Sequence, residues 1–425
     1  MNREIKQLTA LFLGFGLLMM ASGLINSLLA LRMGIEGFPL SSAGLVMSAH
    51  AFGFLFGPLI VPRLIHRVGH IRLFAIMAAL AATATLAHPL LIHPVSWLLL
   101  RMLTGFALSG CAMILESWLN HRTASDMRGG VLGAYMTVNY LGFGAGQFLL
   151  LAGKPSGFEL FSFAAMLFAL ALLPVAATRI GEPERPEPHL PSVRRLWRLS
   201  PLGTVGCFAA GFIGTSFVSA GPLFARARGL ETSDIAVFMG LAVIAGLALQ
   251  MPMGRLSDRL DRRRLIAGVG FAIIGAALVM IFVSRLGHLG AIGAAILYGG
   301  VAYVLYPLAV AHANDVVSKG DSVAVSGGLI FASGTGATLG PIVSTTAMGL
   351  MGPDGLFVTI AVMAAALGGF AVWRAVEAPP VPDSEKSGFM PMAPATPAVV
   401  ELDPRAVSRP EVTIYPPEKE DEDRS

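Results

Sequence analysis

A chain of 425 residues that is 55% hydrophobic and only 13% charged is not a soluble domain, where roughly 25% of residues carry charge; it belongs among proteins that cross a membrane several times. Its net charge of +4 is no sign of a nucleic-acid partner, because the basic residues sit in short segments between apolar runs, where they meet lipid headgroups. Cys111 and Cys207 both lie inside apolar runs, which leaves neither a disulfide framework nor a metal site.

In chain order, Arg3 and Lys6 precede an apolar run from Leu8 to Leu31. That run is too long for the core of a signal peptide and is read as an uncleaved first membrane helix. Further runs cover residues 38–61, 71–92, 94–118, 129–152 and 157–178, and Pro94 suits a helix start. A polar, proline-rich linker fills 179–200. The second set covers 201–224, 235–253, 265–284, 289–313, 323–350 and 355–375. Each run can cross a bilayer as a helix, so the expected fold is an all-α membrane protein of twelve transmembrane helices. The domains are a six-helix bundle over 1–178, the linker, a second six-helix bundle over 201–376, and a tail over 377–425. The tail is rich in proline and acidic residues, buries too little apolar surface to fold alone, and is expected to be disordered.

Lys and Arg gather in alternate connections. One set holds Arg63, Arg67, Arg72, Arg122, Arg128, the arginines of the linker and of 254–264, Lys319 and Arg374. The other holds only Arg32, Lys154, Arg226, Arg228 and Arg285. By the positive-inside rule both termini are cytoplasmic.

The densest charge block, Gly254-Arg255-Leu256-Ser257-Asp258-Arg259-Leu260-Asp261-Arg262-Arg263-Arg264, has a weaker copy in the first half at Pro62-Arg63-Leu64-Ile65-His66-Arg67-Val68-Gly69-His70-Ile71-Arg72. Gly129-Gly130-Val131-Leu132 likewise recurs as Gly327-Gly328-Leu329-Ile330, and at the same offset Leu141-Gly142 recurs as Leu339-Gly340. Two similar six-helix halves are the consequence, with a cleft between them at the midplane.

These residues resemble the major facilitator superfamily. Its signature between helices two and three reads G-x-L-x-D-R-x-G-R-R/K. Gly254, Leu256, Asp258, Arg259, Arg262 and Arg263 match it in the second half, with Asp261 in place of the later glycine. In the first half Leu64, Arg67 and Gly69 match, while Pro62 and His66 replace the first glycine and the aspartate. Glu116-Ser117-Trp118-Leu119-Asn120 and Leu305-Tyr306-Pro307, followed by Ala311-His312-Ala313-Asn314-Asp315, look like the YcaD-like branch of bacterial facilitators. The resemblance implies alternating access of two halves around a central cavity in a bacterial inner membrane.

Arg101 is the sharpest single residue. A cation inside a membrane helix costs roughly 2.5–3.5 kcal/mol on insertion scales and normally faces a cavity and a partner. The other reading is snorkelling to the outer surface. His50, in the middle of the second helix, either carries a proton near neutral pH or is a neutral residue bonded to a neighbouring helix. Asn26, Asn139, Tyr140, Gln147, Gln250, Tyr298, Tyr303 and Tyr306 either line the cleft or make packing bonds between helices. For the charged turns the expected gate comprises Gly254, Asp258, Arg259, Arg262, Arg263 and Asp315 in the second half. In the first half it comprises Arg67, Gly69 and Glu116. Asp315 and Glu116 are its carboxylates, latching the cytoplasmic side through arginine pairs. The alternative is simple anchoring of arginine to the inner leaflet.

No G-x-x-x-x-G-K-[ST] loop is present, which argues against direct ATP drive, and no metal cluster or nucleophile triad is visible. Helix five has no Gly-Pro pair, a departure from the family's antiporter motif. The expected function is a secondary transporter of a small organic solute, proton-coupled, acting as a monomer in the bilayer without a cofactor and without catalysis. The alternative is a sensor or scaffold that keeps the fold, lacks transport and uses the tail.

Overall fold

The computed structural model describes residues 2–123, 127–177, 193–316 and 322–377, together with 382, 386, 388, 389 and 392. Among them every regular element is a helix. The first half contains α1 (Asn2–Ile35), α2 (Leu40–Leu55), α3 (Gly57–Val68), α4 (His70–Ala87), α5 (Pro94–Arg122), α6 (Arg128–Phe148), α7 (Glu159–Leu170) and α8 (Leu172–Ala177). A short α9 (Val193–Leu199) takes up the last part of the linker. The second half contains α10 (Pro201–Ala227), α11 (Thr232–Arg259), α12 (Arg262–Val283), α13 (His288–Ala302), α14 (Leu305–Asp315), α15 (Ser322–Met351) and α16 (Gly355–Glu377).

Among the described residues nine spans are long and apolar enough to cross a membrane, with α7 and α8 together making one and α13 and α14 another, or ten if α2 and α3 form one bent span. The fifth and eleventh runs of the sequence coincide with α6, which Asn139 and Gln147 make less apolar, and with α15. Large apolar side chains such as Phe282, Val362 and Leu173 are exposed on the outside of the bundle. A soluble protein would cover so much apolar surface; a lipid-facing one need not.

Local chemistry sets the ends and breaks. Pro94 and Pro201 stand in the first turns of α5 and α10, where a missing N–H costs nothing, and the Ser200 hydroxyl accepts from Gly203 N–H at 3.3 Å. Pro58 removes a donor at the start of α3, and α2 and α3 meet at 50°. Pro307 does the same at the start of α14. The Tyr303 carbonyl, four residues earlier, is left without its helical donor and accepts from Gln250 Nε2 at 3.3 Å.

Inside each half, helices approach through glycine. A methyl group at Gly105 would collide with the His50 carbonyl, and one at Gly53 with the Met102 carbonyl, which sets how closely α2 packs on α5. Gly23 and Gly146 do the same for α1 and α6. The second half repeats the scheme: Gly211 and Gly336 join α10 to α15, and Gly299 joins α13 to α11. Between the halves, Gly44 of α2 meets Pro341 and Thr345 of α15, and Gly144 of α6 meets Gly240 and Ile244 of α11. These contacts lie toward the end of the bundle opposite the charged turns.

Candidate functional site

A cavity of about 230 Å³ lies where the two halves meet. The first half supplies Phe15, Met19, Ser22 and Asn26 from α1, Met47, His50 and Phe54 from α2, Arg101 and Thr104 from α5, and Asn139, Tyr140 and Phe143 from α6. The second half supplies Thr215, Val218 and Ser219 from α10, Val243 from α11, Gly334 from α15, and Tyr303 at the break between α13 and α14. Among the described residues no Asp or Glu lines it.

Arg101 is 2% exposed, so it does not snorkel to the surface. Its Nη2 donates to Asn26 Oδ1 at 3.1 Å, and Asn26 Nδ2 donates to the Val218 carbonyl of the other half at 2.8 Å. Nε of Arg101 has no hydrogen-bond partner among the described residues. Among the described residues a buried guanidinium is therefore held by one neutral amide. His50 lines the same cavity, and its Nδ1 also lacks a partner among the described residues.

Six of the ten polar residues singled out in the spans line this space: Arg101, His50, Asn26, Asn139, Tyr140 and Tyr303. Gln147, Gln250, Tyr298 and Tyr306 do not. Gln147 is fully buried and accepts the Ser27 hydroxyl at 2.5 Å, a packing bond between α6 and α1; Tyr306 is buried in α14. Sequence reasoning missed the apolar and hydroxyl part of the wall. Phe15, Met19, Ser22 and Asn26 recur at helical spacing, so one face of α1 carried the signal.

The charged turn of the second half is a compact network. Arg262 is 2% exposed. It donates to Ser257 Oγ (3.0 Å) and Asp258 Oδ1 (2.9 Å) of α11 and to the Ala311 carbonyl (3.0 Å) and Asp315 Oδ1 (2.5 Å) of α14. Arg263 forks onto Asp261 (3.1 and 2.9 Å) and reaches the Arg374 carbonyl of α16 at 3.3 Å. Asp261 also caps α12 by accepting Arg263 N–H at 3.0 Å. Partial burial pushes the Asp261 carboxyl up. The hydrogen bonds from Arg263 and the charges of Arg263 and Arg264 outweigh that and hold it below its usual range. These bonds brace the second half internally and do not bridge the halves. Arg259 is exposed and takes no part.

The first-half turn differs. Gly69 has φ of +86°, which only glycine adopts freely, and its N–H donates to the Ile65 carbonyl at 2.9 Å. Arg67 is exposed. Glu116 is fully buried and accepts the Tyr135 hydroxyl at 2.6 Å.

Part of the C-terminal segment lies against this end of the bundle. Lys386 Nζ donates to the Leu260 carbonyl at 3.0 Å, and Phe389 N–H donates to Asp258 Oδ1 at 2.9 Å. Met392 is 3% exposed and belongs to the core cluster.

Two glycine-packed halves around a central cavity, wrapped in lipid-facing helices, make this a membrane transporter. The chain belongs to the Major Facilitator Superfamily, whose family profile matches residues 11–304 and 243–411. The uncharacterized MFS-type transporter YcaD of Escherichia fergusonii is 30% identical over 353 residues, covering 82% of this chain and 90% of that protein. YcaD of Salmonella typhimurium is 29% identical over 368 residues, covering 85% and 94%. The crystal structure of the nucleoside transporter NupG superposes with a TM-score of 0.70 at 15% identity, covering 88% of this chain and 99% of that one. A bacterial homologue of the human lysosomal transporter Spinster, inward-facing and occupied, gives 0.69 at 15% identity, covering 91% and 99%. These structures share the fold.

Proposed function

We propose that this protein is a secondary transporter that moves a small organic anion across the bacterial inner membrane by alternating access of its two halves, coupled to protons. It works as a monomer, with both termini in the cytoplasm. The observation that carries this reading is Arg101. A cation buried in the membrane interior needs compensation, and among the described residues it has a single neutral amide, an unpartnered Nε and a cavity without a carboxylate. An anionic solute supplies the missing charge. The wall around it is largely apolar and aromatic, which suits a solute with a hydrocarbon or ring body. A cavity of about 230 Å³ is smaller than the roughly 300–1,000 Å³ of pockets for drug-sized ligands, so the solute is small. Asn26 links Arg101 to Val218 across the halves, so binding of the anion is felt at the moving interface. His50 is the proton carrier in this reading: one proton with one monovalent anion moves no net charge.

Proteoliposome uptake of three isosteres, benzoate, benzyl alcohol and benzylamine, with a pH-sensitive dye inside, tests it. The expected result is uptake of benzoate with proton movement, reduced at least about tenfold in Arg101→Met, and a pH profile flattened in His50→Gln. Equal or better uptake of the neutral or cationic isostere overturns the anion assignment. An unchanged profile in His50→Gln overturns the proton role.

A further inference from the structure

We infer that Lys386, Phe389 and Met392 of the tail form an autoinhibitory plug in the cytoplasmic entrance between the two halves. The plug is independent of the solute's identity; its sidedness rests on the orientation proposed above.

The segment is seated by both apolar packing and hydrogen bonds. The Phe389 ring lies on Gly254 of α11, so closely that a methyl group at that position would collide with it. Gly254, the opening residue of the charged block, is thus the floor of a seat for an aromatic ring. Beside it, Asp258 Oδ1 accepts the Phe389 N–H, and the Leu260 carbonyl accepts from Lys386. Further in, the Met392 carbonyl accepts from Tyr140 Oη at 3.3 Å and from Gln250 Nε2 at 3.4 Å, while Gln250 Nε2 also donates to Tyr140 Oη at 2.7 Å. The Met392 side chain is buried with them.

The path of these contacts runs inward. Gln250 lies nine residues before the end of α11, about 14 Å along it at 1.5 Å per residue. Tyr140 lines the central cavity, and so does Tyr303, whose ring meets it edge-on at 5.8 Å. Met392 therefore stands between the charged turn and the cavity, in the route a solute takes to the cytoplasm. Tyr140 belongs to the first half and Gln250, Gly254 and Asp258 to the second. A segment bonded to both resists their relative movement as well as filling the gap. Asp258 Oδ1 is shared between Phe389 and Arg262, so release of the plug leaves the carboxylate to the arginine network. The two halves can then move, and the cavity opens to the cytoplasm.

Thiol labelling tests this in the full chain. Cys111 and Cys207 are fully buried and are replaced by Ala to remove background. Thr215→Cys then places one thiol on the cavity wall. In inside-out vesicles, a membrane-impermeant maleimide is expected to label it slowly, and about tenfold faster once Phe389→Ala and Met392→Glu dislodge the plug. A cysteine pair, Gly254→Cys with Phe389→Cys, is expected to crosslink under mild oxidation and to keep labelling slow. Equal labelling rates with and without the plug substitutions, at the same thermal midpoint, overturn the proposal. Failure of the pair to crosslink does so too.

Discussion

At the charged end of the second half, Arg262 buries its guanidinium between Asp258 and Asp315. At the equivalent place in the first half, His70 buries an imidazole against Trp118, with ring centroids 5.9 Å apart. The turns that carry them differ in the same way. Asp261 caps α12 from an extended conformation, φ −64° and ψ 114°, whereas Gly69 turns in the left-handed region at +86°. The buried carboxylates follow suit: Asp315 is met by an arginine, Glu116 by the Tyr135 hydroxyl. The second half buries a guanidinium between two carboxylates at its charged end, where the first half buries an imidazole against an indole beside a glycine turn. Two halves of one layout thus place different side chains at the same point of the fold.

That contrast predicts unequal costs. Removing one member of a buried ion pair leaves an uncompensated charge, at about 3–5 kcal/mol. Arg262→Met is therefore expected to give the largest loss, read as the thermal midpoint of the purified protein. Adding Asp315→Leu should recover most of it, because an apolar pair of similar volume can replace a buried ionic one. His70→Ala removes a buried ring packed on Trp118 and is expected to cost about 2 kcal/mol. If His70→Ala proves as damaging as Arg262→Met, the two buried side chains contribute equally and the contrast in cost fails.

Gly69→Ala comes next. A side chain in the left-handed region costs roughly 1–2 kcal/mol. Asp261→Gly, the mirror exchange, loses the cap of α12 and the fork to Arg263 at about 1 kcal/mol. A Gly69→Ala chain with an unchanged midpoint would show that the first-half turn does not depend on its backbone conformation.

Much of this was legible in the sequence, because membrane helices announce themselves by length and apolarity. The twelve runs map onto helices or helix pairs, and Pro58 and Pro307 mark two of the three breaks inside them. Six of the ten polar residues singled out in the spans line the cavity, since a polar group deep in a span has few other places to go. The rest depended on tertiary partners. Nothing in the charge block said that Arg262 and Arg263 would turn inward onto their own half while Arg259 stayed exposed. His88 follows the same rule: it stands at the end of α4, yet it is buried against Trp97 and Phe161. The proline-rich, acidic composition of the tail gave no hint that Phe389 and Met392 have seats in the bundle.

The smallest effect in this comparison concerns acid. The Asp261 carboxyl is held below its usual value in the folded protein, so the folded state binds its proton less readily than the unfolded state does. Its contribution is fully present above the unfolded value near 3.9 and is lost as pH falls through the folded one. Asp261 and Arg263 are partly accessible, at 18% and 8% of their side-chain surface, so the pair is worth about 0.5 kcal/mol at most. Comparing thermal midpoints at pH 7 and in the acid range, Asp261→Asn should lie slightly below the parent at neutral pH and converge with it as the pH drops. Gly69→Ala, acting through backbone shape, should keep the same deficit at both. Parallel curves for Asp261→Asn and its parent would remove the ionic component from the second-half turn and leave only its cap.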